Sequence, residues 1–233
     1  KELEGLEHHD ELLAELRQQL QQQENELAQA AEELSNRREQ AAAEMSRAIE
    51  AQLKDLGMPG GRFKIQVTSG RDYTPHGRDQ VRFEFSANPG EDLRLLSKVA
   101  SGGELSRVAL AIKTVCSRNA GAQVMVFDEI DSGVGGQTAR KVAEKIAQVA
   151  ARKQVLCITH LPQIASMADC HIHIEKKLIE DRTQTFVQKL SAEERLAELA
   201  RMIGGEPISR AGLDNAAEMV RTAAEIKIAL SRP

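Results

Sequence analysis

Apolar residues recur every seventh position through the start of the chain: Leu6, Leu13, Leu20, Leu27, Leu34, Ala41 and Ala48. That spacing is the seam of a coiled coil. Its companion seam is weaker, since Leu16 and Ala30 fit while His9, Gln23, Arg37 and Glu44 interrupt it. Residues 1–56 contain no proline, and their single glycine is Gly5. The pattern predicts one continuous helix that needs a partner helix to cover its leucines; an ordinary long surface helix is the plainer alternative. The tract Gln18–Gln23 reads as solvated face.

Gly57-Met-Pro-Gly-Gly61 breaks the pattern and marks the expected boundary between an arm, 1–56, and a globular part, 57–233. Apolar residues then alternate with polar ones at Phe63, Ile65, Val67 and at Val81, Phe83, Phe85. Two half-buried antiparallel strands are expected, Arg62–Thr68 and Gln80–Ala87. The connection between them is rich in Gly, Asp and Arg and holds the only tyrosine, Tyr73. Its Arg71 and Arg78 read as solvated loop charges rather than phosphate contacts. Asn88-Pro-Gly90 is a turn.

Leu105, Val108, Ala109, Ile112 and Val115 share one helical face, so a buried helix is expected to about Cys116, ended by Asn119-Ala-Gly121. Val124–Phe127 and Val155–Ile158 are apolar runs of strand length, the kind buried on both faces of a parallel sheet. Helical periodicity from Gln137 to about Ala151, through Val142, Ile146 and Val149, separates them. Strand, helix, strand is a parallel βαβ unit with a right-handed crossover. Asp169–Lys176 and Thr183–Leu190 should pair through Glu180-Asp-Arg182. Ser191 and Glu194 have capping-box spacing for a helix that stops at Gly204-Gly205. A last helix starts at Ser209 and runs through Ala216, Met219, Val220, Ala223 and Ile226. The fold class is α/β.

Composition narrows the functions. Aromatics are 3% of 233 residues and Trp is absent, which argues against a base-stacking nucleic-acid module. Net charge is −4, divided as −8 over residues 1–56 and +4 over the rest. That mild excess permits phosphate contacts without demanding them. Three cysteines in apolar surroundings suggest reduced thiols and a cytosolic protein. No apolar run has the length of a membrane span. The first residue is Lys, with helical pattern already under way, as expected of a piece of something longer.

Chemistry concentrates in two stretches. In Lys98-Val-Ala-Ser-Gly-Gly-Glu-Leu-Ser-Arg107, the residues Ser101, Gly102 and Gly103 fall at a helix start. There, exposed N–H groups and the helix dipole favour phosphate. In Val124–Gly136, Asp128 and Glu129 follow an apolar strand. A carboxylate at such a strand end can hold hydrated Mg²⁺, and its neighbour can orient an attacking water. His160 ends the next apolar run. Each has a plainer reading: a helix cap, solvated acids, a satisfied core histidine. Their order and spacing favour a phosphoryl-transfer site. Cys157-x-x-His160 and Cys170-His171-x-His173 have a superficial zinc spacing, but strand alternation puts Cys170 opposite His171 and His173.

These motifs resemble the C-terminal half of an ABC-type (P-loop NTPase) ATPase head. Lys98–Arg107 is similar to the signature motif, Val124–Glu129 to Walker B, Asp131–Gly136 to the D-loop and His160 to the switch histidine. Asp-Glu-Ile-Asp and the heptad helix upstream resemble SMC-like heads. Lys98–Arg107, Thr159-His-Leu-Pro-Gln163 and Ala200-Arg-Met-Ile-Gly-Gly205 resemble the RecN family of bacterial DNA repair proteins. The resemblance covers the chain from about residue 57 onward. It implies that the N-terminal helix packs antiparallel in a coiled coil, and that ATP and Mg²⁺ are the cofactors. Asp128 would hold Mg²⁺ through water, Glu129 would polarise the attacking water, and His160 would bond the γ-phosphate. Ser101, Gly102, Gly103 and Glu104 would meet nucleotide held by a second head, with Lys98 and Asp131 contributing. Implied partners are an N-terminal Walker A half, a second copy through ATP-bound heads, and DNA, without a membrane. The implied role is recombinational double-strand break repair in the cytoplasm, at the nucleoid.

Two features limit the likeness. No G-x-x-x-x-G-K-[ST] loop is present, so the phosphate cradle is absent from these residues. Gly135 stands where SMC-type D-loops usually carry a second Asp, which removes a carboxylate. An ABC transporter subunit is the first alternative, against which stand Ile130 in place of the usual Pro and the heptad helix. A coiled-coil scaffold with a vestigial head is the second, against which stand Ser101, Asp128, Glu129 and His160 together.

Overall fold

The computed structural model describes residues 2–99, 101–116, 123–179 and 182–231, with only the backbone of 2–11 described. The expected helix stop at 119–121 and most of the turn at 180–182 lie outside them. Contacts group the chain into two compact units, Lys1–Arg47 with Phe63–Glu84, and Ala48–Arg62 with Phe85–Pro233. The grouping does not follow a division at residue 57, because the base of the long helix belongs to the second unit.

The first unit joins most of helix α1 (Glu2–Asp55) to strands β1 (Arg62–Thr74) and β2 (Gly77–Ser86). A two-residue connection permits only antiparallel pairing. The expected loop over 69–79 is therefore strand almost to its tip. Local chemistry closes the tip: Thr74 Oγ1 donates to Gly77 O at 2.6 Å and accepts from His76 N at 3.2 Å. Gly77 has φ +88°, and a Cβ there would meet Leu34 Cδ2 at 2.8 Å.

The buried stripe of α1 in this unit is Ala31, Ser35 and Ala42, while Leu13, Leu20 and Leu27 stay exposed. The internal seam is thus one residue away from the predicted series, and the leucines remain uncovered. Asp79 on β2 sets that register. Its side chain is shielded from solvent and accepts from Ser35 at 2.7 Å, Ser69 at 2.8 Å and Arg38 at 2.9 Å. Arg38 also donates to His76 O at 2.7 Å. The hydroxyls of Ser35 and Ser69, with Arg38 behind them, hold the Asp79 carboxyl below the usual carboxylate value against the cost of burial.

The second unit begins with the base of α1, where Ile49 and Leu53, with Leu56 just past the helix end, are wholly buried. Asp55 fastens it to helix α3 (Gly136–Ala150) through Lys141 at 2.8 Å and Lys145 at 3.4 Å. A two-residue strand β3 (Arg94–Leu95) precedes helix α2 (Gly102–Val115). Strands β4 (Val124–Phe127) and β5 (Gln154–Cys157) pair in parallel, Phe127 opposite Cys157, with α3 as crossover. Val142, Ile146 and Val149 of α3 are buried as the periodicity predicts.

Two burial expectations fail. The β4–β5 sheet is covered on one face only, leaving Val126 63% and Leu156 46% exposed. Helix α2 buries Gly103, Arg107, Val108, Leu110 and Ala111, and leaves Leu105 exposed, because the side carrying Gly103 and Arg107 is applied to the turn after β4.

Helix α4 (Pro162–Ala165) is too short for any periodicity, and only its first-turn proline announces it. Strands β6 (Ile172–Ile179) and β7 (Arg182–Lys189) form an antiparallel pair from Ile172↔Lys189 to Ile179↔Arg182. Helix α5 (Ala192–Gly204) has both capping-box bonds, Ser191 N to Glu194 at 2.7 Å and Glu194 N to Ser191 at 3.2 Å. Leu199 and Ala200 pack with Ala165 and with Ala216 of α6 (Arg210–Ser231). No helix among the described residues is long and apolar enough to cross a membrane.

Because the folded Asp79 carboxyl lies below its free value of 3.8, its stabilisation is complete above that pH and is lost as pH falls through the lower folded value. Asp79→Asn should cost the first unit about 1–2 kcal/mol near neutral pH and flatten its acid dependence. Denaturant titrations followed by Tyr73 fluorescence, in a chain without Trp, would report it; an unchanged midpoint would contradict the assignment.

Candidate functional site

Beyond buried Phe127 the chain leaves the sheet in a sharp turn. Ser132 N donates to Glu129 O at 3.1 Å and closes it, while wholly buried Ile130 pins it to the core. Asp128 and Glu129 are left exposed at its mouth. Asp128 Oδ1 accepts from Glu129 N at 2.9 Å. Glu129 has φ +55°, the only positive value at a non-glycine among the described residues. A left-handed glutamate costs on the order of 1 kcal/mol and persists only where its surroundings hold it. Gly136 also needs its glycine, with φ +53°, whereas Gly135 is extended at φ −161° with open space about it. An Asp at 135 would fit, so the departure there is one of chemistry and not of backbone.

Helix α2 lies against this turn. Ser101 caps it, accepting a long bond of 3.4 Å from Glu104 N. One turn further on, Ser106 Oγ donates to Asp128 O at 2.7 Å, and Arg107 donates to Ser132 O at 2.6 Å. These bonds flank Glu129 on both sides. Gly103 makes the approach possible, since a Cβ there would lie 2.8 Å from Ser132 Cβ and 3.1 Å from Glu129 O. A Cβ on Gly102 would lie 2.5 Å from Glu129 Oε2. The two sequence stretches therefore meet within one chain, Gly102 and Gly103 against Glu129. Arg107 is buried, and desolvation lowers its pKa while neighbouring Glu104 opposes the shift. Lys98, in the 3₁₀ turn Leu96–Lys98, is exposed and has no hydrogen bond or ion pair among the described residues.

Asp131 faces inward. One of its oxygens accepts from Thr159 Oγ1 at 2.6 Å and His160 N at 2.9 Å, with His160 Nδ1 at 3.0 Å. Its side chain is 5% exposed, that of His160 73%. Asp131, expected to contribute at the nucleotide, thus holds His160 through one of its two oxygens. The Nδ1 contact leaves Nε2 as the open nitrogen of the ring. The Cys157 thiol is pushed up to about 12 by burial and then by Asp131 and Asp128, so it stays protonated. Burial, with Arg195 next, lowers the pKa of His171, while Arg201 holds Glu198 in a two-bond fork at 2.7 and 2.8 Å. No group of three His, Cys, Asp or Glu among the described residues has metal-holding geometry. Hydrated Mg²⁺ needs only one or two carboxylates beside phosphate and water, and Asp128, exposed with Oδ2 uncommitted, suits that.

Ser106 was missed by sequence reasoning, which saw it only as part of a motif. Its signal is its place three residues after Gly103, on the face that must approach another backbone.

The two glycines should differ on substitution. Gly103→Ala sets a methyl against backbone and should cost about 1–3 kcal/mol. Gly102→Ala meets only the movable end of Glu129 and should stay within about 0.5 kcal/mol. Chemical denaturation of both variants checks this, and equal losses would contradict the close approach.

No protein-family model matches the chain. The DNA repair protein RecN of Halalkalibacterium halodurans is 39% identical over 231 residues, covering 97% of this chain and 41% of the relative. RecN of Bacillus subtilis is 39% identical over 242 residues, covering 97% of this chain and 42% of the relative. A solved Smc head domain with a coiled coil and joint from Pyrococcus yayanosii matches 66% of this chain and 28% of its own, at 24% identity and a TM-score of 0.48. The chain spans about two fifths of the length of the curated relatives it matches, and over 97% of its own length it is similar to the DNA repair protein RecN.

Proposed function

We propose that this chain is the C-terminal lobe, with its coiled-coil arm, of an SMC-like ABC-type ATPase head in a protein of recombinational double-strand break repair. The observation that carries the reading is the meeting of Ser101–Arg107 with the turn of Asp128 and Glu129. An anion-binding helix start is thereby fixed beside a cation-binding strand end. The complete protein would bind ATP between two heads and hydrolyse it, acting on DNA at the nucleoid. What remains uncovered fits that plan. The open β4–β5 face suits the half that carries the phosphate-binding loop, and the exposed leucines of α1 suit an antiparallel partner helix.

Asp128 would hold Mg²⁺ through water, and the ion would neutralise charge on the phosphates. Exposed Glu129 orients the attacking water. Asp131 fixes the His160 ring, whose Nε2 is then available to the γ-phosphate. Ser101, Gly102 and Gly103 offer backbone N–H groups and the positive end of α2 to nucleotide held by the other head. Glu104 stays beside Arg107, and exposed Lys98 adds charge at the loop's entrance.

The adjacent carboxylates provide the test. In the full-length protein, Glu129→Gln should lower ATP turnover about 10²- to 10⁴-fold, as for loss of a general base, while ATP-bound dimers accumulate in sedimentation. Asp128→Asn should weaken nucleotide binding as well as turnover, because it acts on the cation. Identical behaviour of the two, or normal hydrolysis by Glu129→Gln, would remove these assignments.

A further inference from the structure

We propose that Ser106 and Arg107 are positioning residues that lock the helix carrying the Ser101 loop to the turn carrying Glu129. Engaging nucleotide at the loop and aligning the glutamate then become one movement. The proposal rests on the ATPase reading above and adds to it how the two halves of the site communicate.

Three observations converge. The first is placement. Ser101 caps α2, and Ser106 and Arg107 lie about one turn along the same rigid helix. Their bonds end on Asp128 O, one residue before Glu129, and on Ser132 O, three residues after it. Both are bonds to backbone, so neither occupies the Asp128 or Glu129 carboxylate.

The second is cost. Arg107 is 7% exposed, and its Nε is buried without a hydrogen-bond partner. A buried guanidinium that is not fully bonded is worse for stability than an apolar side chain of similar size. Packing alone would be better served by methionine. What arginine supplies here is the bond to Ser132 O.

The third is the absence of slack. Glu129 holds a left-handed backbone, which needs support from outside the turn. Gly103 brings α2 so close that a single methyl would collide with that backbone. Glu129 Oε2 also lies beside Gly102, at the helix end favourable to anions. A phosphate arriving at the loop thus meets the helix that governs the glutamate.

The test uses the full-length protein as wild type, Arg107→Met and Ser106→Ala. Each is measured for melting temperature, ATP-dependent dimerisation, KM and kcat. Arg107→Met should melt no lower than wild type and dimerise with ATP normally. Its kcat should fall about 10- to 100-fold with KM changed less than about three-fold, as for a misaligned catalytic group. Ser106→Ala should show the same split, with a smaller loss. A kcat within about two-fold of wild type in both variants would overturn the lock while leaving the ATPase reading standing. A kcat loss that merely tracks a lower melting temperature would make the residues structural and overturn it too. If Arg107→Met does not fold, Ser106→Ala decides by the same criterion. A wild type without ATP turnover would instead end the ATPase reading, and this proposal with it.

Discussion

The closeness of helix α2 to the turn after β4 is the constraint on which the candidate site depends. Backbones come this near only where a side chain is missing, and Gly103 provides that. Once the gap is closed, two side-chain donors hold the Asp128 and Ser132 carbonyls, one before and the other after Glu129, which tolerates an unfavourable φ as a result. Asp131 then points inward to His160, three residues past the end of β5, so that three separate stretches are fixed relative to one another.

Within the same unit the base of the arm is tied to this arrangement. Asp55, at the end of α1, is bonded to Lys141 and Lys145 of α3, the helix that begins where the Glu129 turn ends. The hydrogen bonds from Lys141 and then Lys145 hold the Asp55 carboxyl below its usual value against the cost of burial. The lysine pair is partly open to solvent, so its worth lies in orientation more than in stability.

Periodic and capped elements were legible in the sequence. The long helix, the α3 stripe of Val142, Ile146 and Val149, the parallel pairing and the Ser191–Glu194 box follow from local spacing, and all are present. What could not be read depends on partners distant in sequence. The choice of Ala31, Ser35 and Ala42 over the leucines is set by Asp79, more than forty residues beyond the Ser35 and Arg38 that it binds. The exposure of Val126 and Leu156 reflects a sheet face that these residues do not cover, although their hydropathy predicts burial. At the site, the residue types and their order were visible. The inward turn of Asp131 and the grip of Ser106 were not, because each requires knowing which backbone lies opposite.

On the proposed reading, these residues carry a signature loop, a cation carboxylate and a water-orienting glutamate, but need another polypeptide segment to cradle phosphate. The most direct measurement is equilibrium binding and turnover of Mg-ATP by the 233-residue chain, alone and mixed with the portion of the full-length protein bearing the phosphate-binding loop. The chain alone should neither bind ATP saturably nor hydrolyse it, and the mixture should do both. Saturable binding with hydrolysis by the purified chain alone would contradict the account.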